Sequence, residues 1–126
     1  MITRSHRFHG YNSLRFVYRN GQMVRGPLFA VKYVLNPKRK SYRLAVVVSR
    51  KVHKSAVARN RIRRRLYETV RQLEVAITEP YDIVLTVFHG SLLEEPHPSL
   101  AKQVKKQLSQ AGVLSKHLQP RPEDRT

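Results

Sequence analysis

The chain has 126 residues, of which 40% are apolar and 26% charged, a length that makes one domain of ordinary size. No apolar run approaches the ~18 residues of a membrane span, no signal-peptide core follows Met1, and the lack of cysteine excludes disulfide scaffolds and thiolate metal sites. With 25 Lys and Arg against 8 Asp and Glu the net charge is +17, and a surface so cationic repels itself unless a polyanion neutralises it.

Met1–Gly10 reads as a loosely held basic segment. Asn12 and Ser13 are capping residues for a short helix whose apolar face is Leu14, Val17 and Tyr18, and Asn20-Gly21 is a stop signal. Gln22–Arg25 reads as a short strand and Gly26-Pro27 as a turn. Leu28–Leu35 is a strand with Phe29, Val31 and Tyr33 on one face and Leu28, Ala30, Lys32 and Val34 on the other. Asn36–Ser41 (NPKRKS) follows as a basic hairpin loop. Leu44–Ser49 (LAVVVS) reads as a central strand covered on both faces. A long helix is predicted from about Ser55 to Ile77. Ile83–Phe88 (IVLTVF) is a second buried strand, and strand–helix–strand makes these two strands a parallel βαβ pair. His89–Pro98 reads as a loop. A last helix starts near Ser99, presents Leu100, Val104 and Leu108 to the core and ends near Gly112. The expected fold class is α+β: a small α/β sandwich in which helices flank a mixed sheet. The expected organisation is one domain over 1–113 and a disordered C-terminal tail over 114–126.

The charge is not spread evenly. Glu68 is the first acid, so residues 1–67 carry 18 Lys and Arg and no carboxylate side chain, whereas 68–126 carry 7 basic and all 8 acidic residues. Salt bridges cannot neutralise the first half. Clustered Lys and Arg release counterions from phosphates, which points to nucleic acid rather than to a membrane surface. The central helix concentrates the signal. With Ile62 at 0° and about 100° per residue, Leu66, Val70, Leu73 and Ile77 fall between about 20° and 80°, a core stripe. Asn60, Arg61, Arg63, Arg64, Arg65 and Arg71 occupy the remaining, outward arc, and Arg59 falls on the core side at an early turn. A merely solvated face interleaves Glu among its cations. Here Glu68, within reach of Arg61, Arg64 or Arg65, is one acid against many, so the face reads as phosphate-binding. Asn60 is the uncharged polar member, and reads equally as an ordinary surface residue or as a contact to a base or sugar.

At these residues the chain resembles the protein subunit of bacterial ribonuclease P. The likeness rests on RFHGYNSLRFVYRNG (7–21), on SRKVHKSAVARNRIRRRLYE (49–68) with its Arg-Asn-Arg at Arg59, Asn60 and Arg61, and on YDIV (81–84). It implies a left-handed βαβ crossover, where the general rule for such units is right-handed. It implies a catalytic RNA partner that cleaves the 5′ leader from precursor tRNA with Mg²⁺, which the RNA mainly binds. The protein is then a subunit of an endoribonuclease without the active site. The resemblance carries RNA contact to Arg59, Asn60, Arg61, Arg63 and Arg64 with Lys51 nearby, and Arg65 joins them from its place on the helix. It carries a leader groove to Leu14, Tyr18, Ala30 and Lys32. Three departures stand out: His53-Lys54-Ser55 replaces a usual glycine, Tyr67 stands where a basic residue is usual, and Leu14 and Lys32 occupy groove positions that are often aromatic.

The residue inventory agrees that the chain alone lacks nuclease chemistry. A metal nuclease needs convergent carboxylates, whereas Asp82 reads as a turn or cap residue and the six histidines (His6, His9, His53, His89, His97, His117) are scattered. His53 reads as a phosphate contact. No catalytic residue and no protein-held metal are expected. The expected setting is the cytoplasm, with catalytic RNA and precursor tRNA as partners and no obligate protein partner. The competing function is a structural RNA-binding protein of the ribosomal type. A helix-turn-helix DNA binder is disfavoured, because no second helix follows a short turn.

Overall fold

The computed structural model describes residues 6, 8 and 11–115; the expectations for the N-terminal segment as a whole, His9 included, and for the tail beyond Ser115 lie outside them. The chain runs α1 (Tyr11–Asn20), β1 (Gln22–Arg25), β2 (Phe29–Leu35), β3 (Arg43–Val47), α2 (Ala56–Arg71), β4 (Tyr81–Val87) and α3 (His97–Ala111). Single 3₁₀ turns, Glu74–Ala76 and Gly90–Leu93, precede and follow β4. The mixed α+β class read from the sequence is the one observed.

The sheet order is β1-β2-β4-β3. β2 lies antiparallel to β1 and to β4, with Phe29 opposite Val87 and Leu35 opposite Tyr81. β3 and β4 are the parallel pair, Arg43 beside Asp82 and Val47 beside Thr86. Two expectations are corrected. Asn36–Ser41 is not a hairpin loop, because β4 is inserted between β2 and β3. β3 is an edge strand, not a central one. β4 takes the centre because Asp82, Ile83, Val84 and Leu85 are all fully buried, whereas β3 reaches burial by having its edge covered. Phe8 donates its backbone N–H to the Leu44 carbonyl (3.2 Å), and the Val46 N–H donates to the Tyr67 hydroxyl (3.3 Å). These contacts occupy groups that an edge strand would otherwise expose.

The two sheet faces carry separate cores. On one, Phe29, Val31, Leu44, Val46, Ile83 and Leu85 pack with Ile62, Leu66 and Val70 of α2 and Leu100, Val104 and Leu108 of α3. On the other, Ala45 and Val84 pack with Val17 of α1 and Phe8. Gly21 ends α1 where no side chain fits: a Cβ would lie 2.6 Å from the Val17 carbonyl oxygen and 2.8 Å from that of Tyr33.

α2 stops at Arg71, six residues before the expected end. Its apolar period continues into Leu73 and Ile77, but the chain must turn back to start β4 beside β3. Leu73 N–H therefore bonds the Val70 carbonyl (2.8 Å), tightening the last turn, and the 3₁₀ turn delivers Ile77 into the core. Tyr42 fastens this corner by donating its hydroxyl to Glu74 (2.7 Å), and burial, reinforced by Glu74, pushes that hydroxyl well above its ordinary pKa. The loop expected at 89–98 contains the second 3₁₀ turn, which buries Leu92, and α3 begins two residues earlier than expected, at His97. At the other end Val113 and Leu114 are both buried.

Asp82 is neither a turn nor a cap residue. It is fully buried inside β4 and takes two hydrogen bonds from Arg43 (Nε–Oδ1 and Nη2–Oδ2, both 2.8 Å) and a third from Asn36 Nδ2 (2.9 Å). Arg43 in turn lies 4.7 Å from the Phe8 ring. A buried charge that loses its partner is costly, so Asp82→Ala is expected to destabilise the fold by about 3–5 kcal/mol in urea denaturation. A loss below about 1 kcal/mol would show that the pair does not hold the parallel strands together.

Candidate nucleic-acid interface

The turn from β3 into α2 is built from its own polar groups. The Ser49 carbonyl accepts from the Val52 N–H (3.1 Å), and His53 Nδ1 accepts from the Ser55 N–H (3.1 Å). Ser55 then caps α2, its Oγ accepting from the Ala58 N–H (3.2 Å). Arg59 Nη1 closes the turn by donating to the carbonyls of His53 and Lys54, both at 2.9 Å. His53, expected as a phosphate contact, thus has its ring nitrogen Nδ1 engaged within the turn. Lys51 stands exposed beside it.

The arginines of α2 divide by their angle from the buried stripe. Arg63, on one flank, donates to Asn60 Oδ1 (2.5 Å) and reaches the Val48 carbonyl (3.4 Å). Arg65, on the other flank, donates Nη1 to the carbonyls of Leu92 (2.6 Å) and Leu93 (2.9 Å) and Nη2 to that of Glu95 (2.5 Å). It is therefore a clasp between α2 and the chain before α3, not part of the free outward face. Asn60 is likewise engaged by Arg63. Glu68 pairs with Arg71, not with Arg61, Arg64 or Arg65, and the Arg71 hydrogen bonds help hold its carboxyl down to about 2. Arg61 and Arg64 point farthest from the stripe, are exposed, and make no hydrogen bond or ion pair among the described residues. Tyr67, the departure from the basic pattern, lies half-buried against the core and caps the edge of β3.

The second candidate surface lies on the opposite face of the sheet. Lys32 extends its ammonium over the Tyr18 ring at 5.3 Å, so these two meet as expected. Leu14 is half-buried beside Val17, and Ala30 is only 3% exposed, so both form the floor more than the wall. Met23 pairs with Lys32 and Arg25 with Ala30 on this same face, and Arg25 covers the Phe88 ring at 4.3 Å. Phe16 is exposed on α1. Sequence reasoning missed Phe16, Met23 and the Arg25–Phe88 pair. The period of two in β1 and β2 held the signal for Met23 and Arg25, but Phe88 needed the register of β4.

Among the described residues no three of His, Asp and Glu converge. Asp82 is held by Arg43, Glu68 by Arg71, Glu74 by Tyr42, and Glu95 accepts from the Ser99 hydroxyl (2.7 Å). No described helix is long and apolar enough to cross a membrane.

These features define a small, strongly basic α+β protein whose crossover helix carries its cations outward. The family model for Ribonuclease P matches residues 2–112. The chain belongs to the ribonuclease P protein family. It is 29% identical over 116 residues to the ribonuclease P protein component of Synechococcus elongatus, covering 90% of this chain and 95% of that one. The corresponding component of Chloroflexus aurantiacus is 33% identical over 113 residues, covering 90% and 82%. In fold it is similar to the RNase P protein of Staphylococcus aureus (TM-score 0.77, 23% identity, 87% of this chain and 98% of that chain). The Thermotoga maritima protein is also similar (TM-score 0.69, 22% identity, 77% and 89%).

The division among the arginines is open to a stability measurement. Arg65→Ala removes a charged donor shared by three carbonyls and is expected to cost about 1–3 kcal/mol in thermal or urea denaturation. Arg61→Ala and Arg64→Ala should each stay within about 0.5 kcal/mol of the parent. Equal losses at all three positions would contradict the division.

Proposed function

We propose that the chain is the RNA-binding subunit of a ribonuclease P. It binds a catalytic RNA through α2 and the 5′ leader of precursor tRNA on the α1 face of the sheet, and so promotes endonucleolytic 5′ maturation of tRNA in the cytoplasm. The observation that carries this reading is the pair Arg61 and Arg64. They are exposed, unengaged among the described residues and directed away from a helix that the core holds rigidly. Lys51 extends the same cationic surface. Arg59 and Arg63 act by shaping the turn and the helix flank on which the contacts sit.

The residues do not fit a Mg²⁺ site within the described part of the protein. Four of its carboxylates already have partners, and no three converge. Mg²⁺ is therefore assigned mainly to the RNA partner, which carries the active site in this reading. The protein contributes electrostatic screening and substrate placement. On the opposite face, Lys32 with Tyr18 and Arg25 with Phe88 offer alternating charge and aromatic surface suited to a single strand.

The reading is tested by adding the chain to its cognate catalytic RNA and precursor tRNA at low Mg²⁺, where cleavage should rise; no increase removes the assignment. The double variant Arg61→Ala/Arg64→Ala should bind that RNA more weakly, with the salt slope reduced by about 2, one for each phosphate no longer neutralised. Lys32→Ala should weaken binding of leader-bearing substrate and leave mature tRNA unaffected. Equal effects on both substrates would discredit the groove.

A further inference from the structure

We propose that the cleft between α2 and the start of α3 receives one unpaired nucleotide of the bound RNA, with a preference for guanine. Its phosphate sits on Arg61 and Arg64, and its base lies against Leu93 with the amino edge toward Glu94. This inference rests on the RNA-binding reading above and adds to it a base-recognising wall outside α2.

The cleft has a volume of about 600 Å³, within the ordinary range for small-molecule sites. Its two sides differ in charge. Arg61 and Arg64 line one, and Leu93, Glu94 and His97 line the other. Opposite charges in one cleft attract, yet neither arginine forms an ion pair with Glu94, so the space between these charged groups is open. That separation is built in. The far wall is held by the Arg65 guanidinium, which bonds the carbonyls of Leu92, Leu93 and Glu95. Glu68, also at the cleft, is already paired with Arg71, so of the two carboxylates that line the cleft Glu94 is the one with no hydrogen bond or ion pair among the described residues.

A ligand for this space needs an anionic end, a flat apolar middle and hydrogen-bond donors at the other end. A nucleotide has all three. Paired RNA hides its Watson–Crick edges, so the nucleotide must be unpaired. A carboxylate only accepts hydrogen bonds. Guanine offers it two adjacent donors, N1–H and the N2 amino group, whereas uracil offers one N–H flanked by two carbonyls that repel it.

The experiment titrates the full chain, at fixed salt, against three fluorescent RNA hairpins that share one stem and carry a bulged G, a bulged U or no bulge. The G bulge should bind about tenfold more tightly than the U bulge, the discrimination typical of a good paired contact to a base edge. Glu94→Ala should abolish that difference, bringing the two bulges to equal affinity. Arg61→Ala should weaken the G and U bulges by the same factor, since it contacts phosphate and not the base. Equal affinity for the two bulges, or a G preference that survives Glu94→Ala, overturns the pocket while RNA binding stands. Failure to bind any hairpin removes the RNA-binding reading, and the pocket with it.

Discussion

Ile62, Leu66 and Val70 are fully buried in the core that α2 shares with β3 and β4, and that contact sets the rotation of the helix about its axis. Each such side chain contributes roughly 2 kcal/mol on burial, far more than a surface charge can oppose. The direction of every arginine on α2 follows from it. Residues opposite the ridge, Arg61 and Arg64, face outward. Those on its flanks, Arg63 and Arg65, lie close enough to neighbouring backbone to donate to carbonyls. The cationic surface is thus what remains after the core has oriented the helix and the flanks have been tied down.

The same ridge explains how the protein tolerates five arginines within seven residues. Arg59, Arg63 and Arg65 do not repel one another across an open face; each guanidinium is directed to a different set of backbone oxygens. Guanidinium suits this role because its planar donors reach two or three carbonyls at once, as Arg65 does. Two arginines are left to act on a partner. The high formal charge of the helix therefore overstates the number of side chains available for phosphate and understates how firmly those two are presented.

The sheet separates two surfaces. α2 and α3 cover one face, and α1 covers part of the other, leaving Lys32, Tyr18, Arg25 and Phe88 along its open part. The buried Arg43–Asp82 pair joins the parallel strands, with Asn36 tying the basic loop to the same carboxylate. A protein arranged this way presents cations on both sides of its sheet, Arg61 and Arg64 on one and Lys32 and Arg25 on the other.

Local pattern was enough for the element types, for the apolar stripes of α2 and α3, for the parallel βαβ pair, and for the place of the cationic surface, because periodicity and charge are properties of neighbouring residues. The Arg-Asn-Arg run and its flanks were enough for the family. What local pattern left open was long-range. An apolar run reads the same at a sheet edge as at its centre, so the edge position of β3 depended on Tyr67 and Phe8 arriving from elsewhere to cover it. The early end of α2 depended on where β4 had to begin. Whether an arginine is free or engaged depended on which carbonyls the fold carried to it: Arg65 and Arg64 are adjacent and chemically identical, and only the approach of residues 92–95 made one a clasp and left the other exposed.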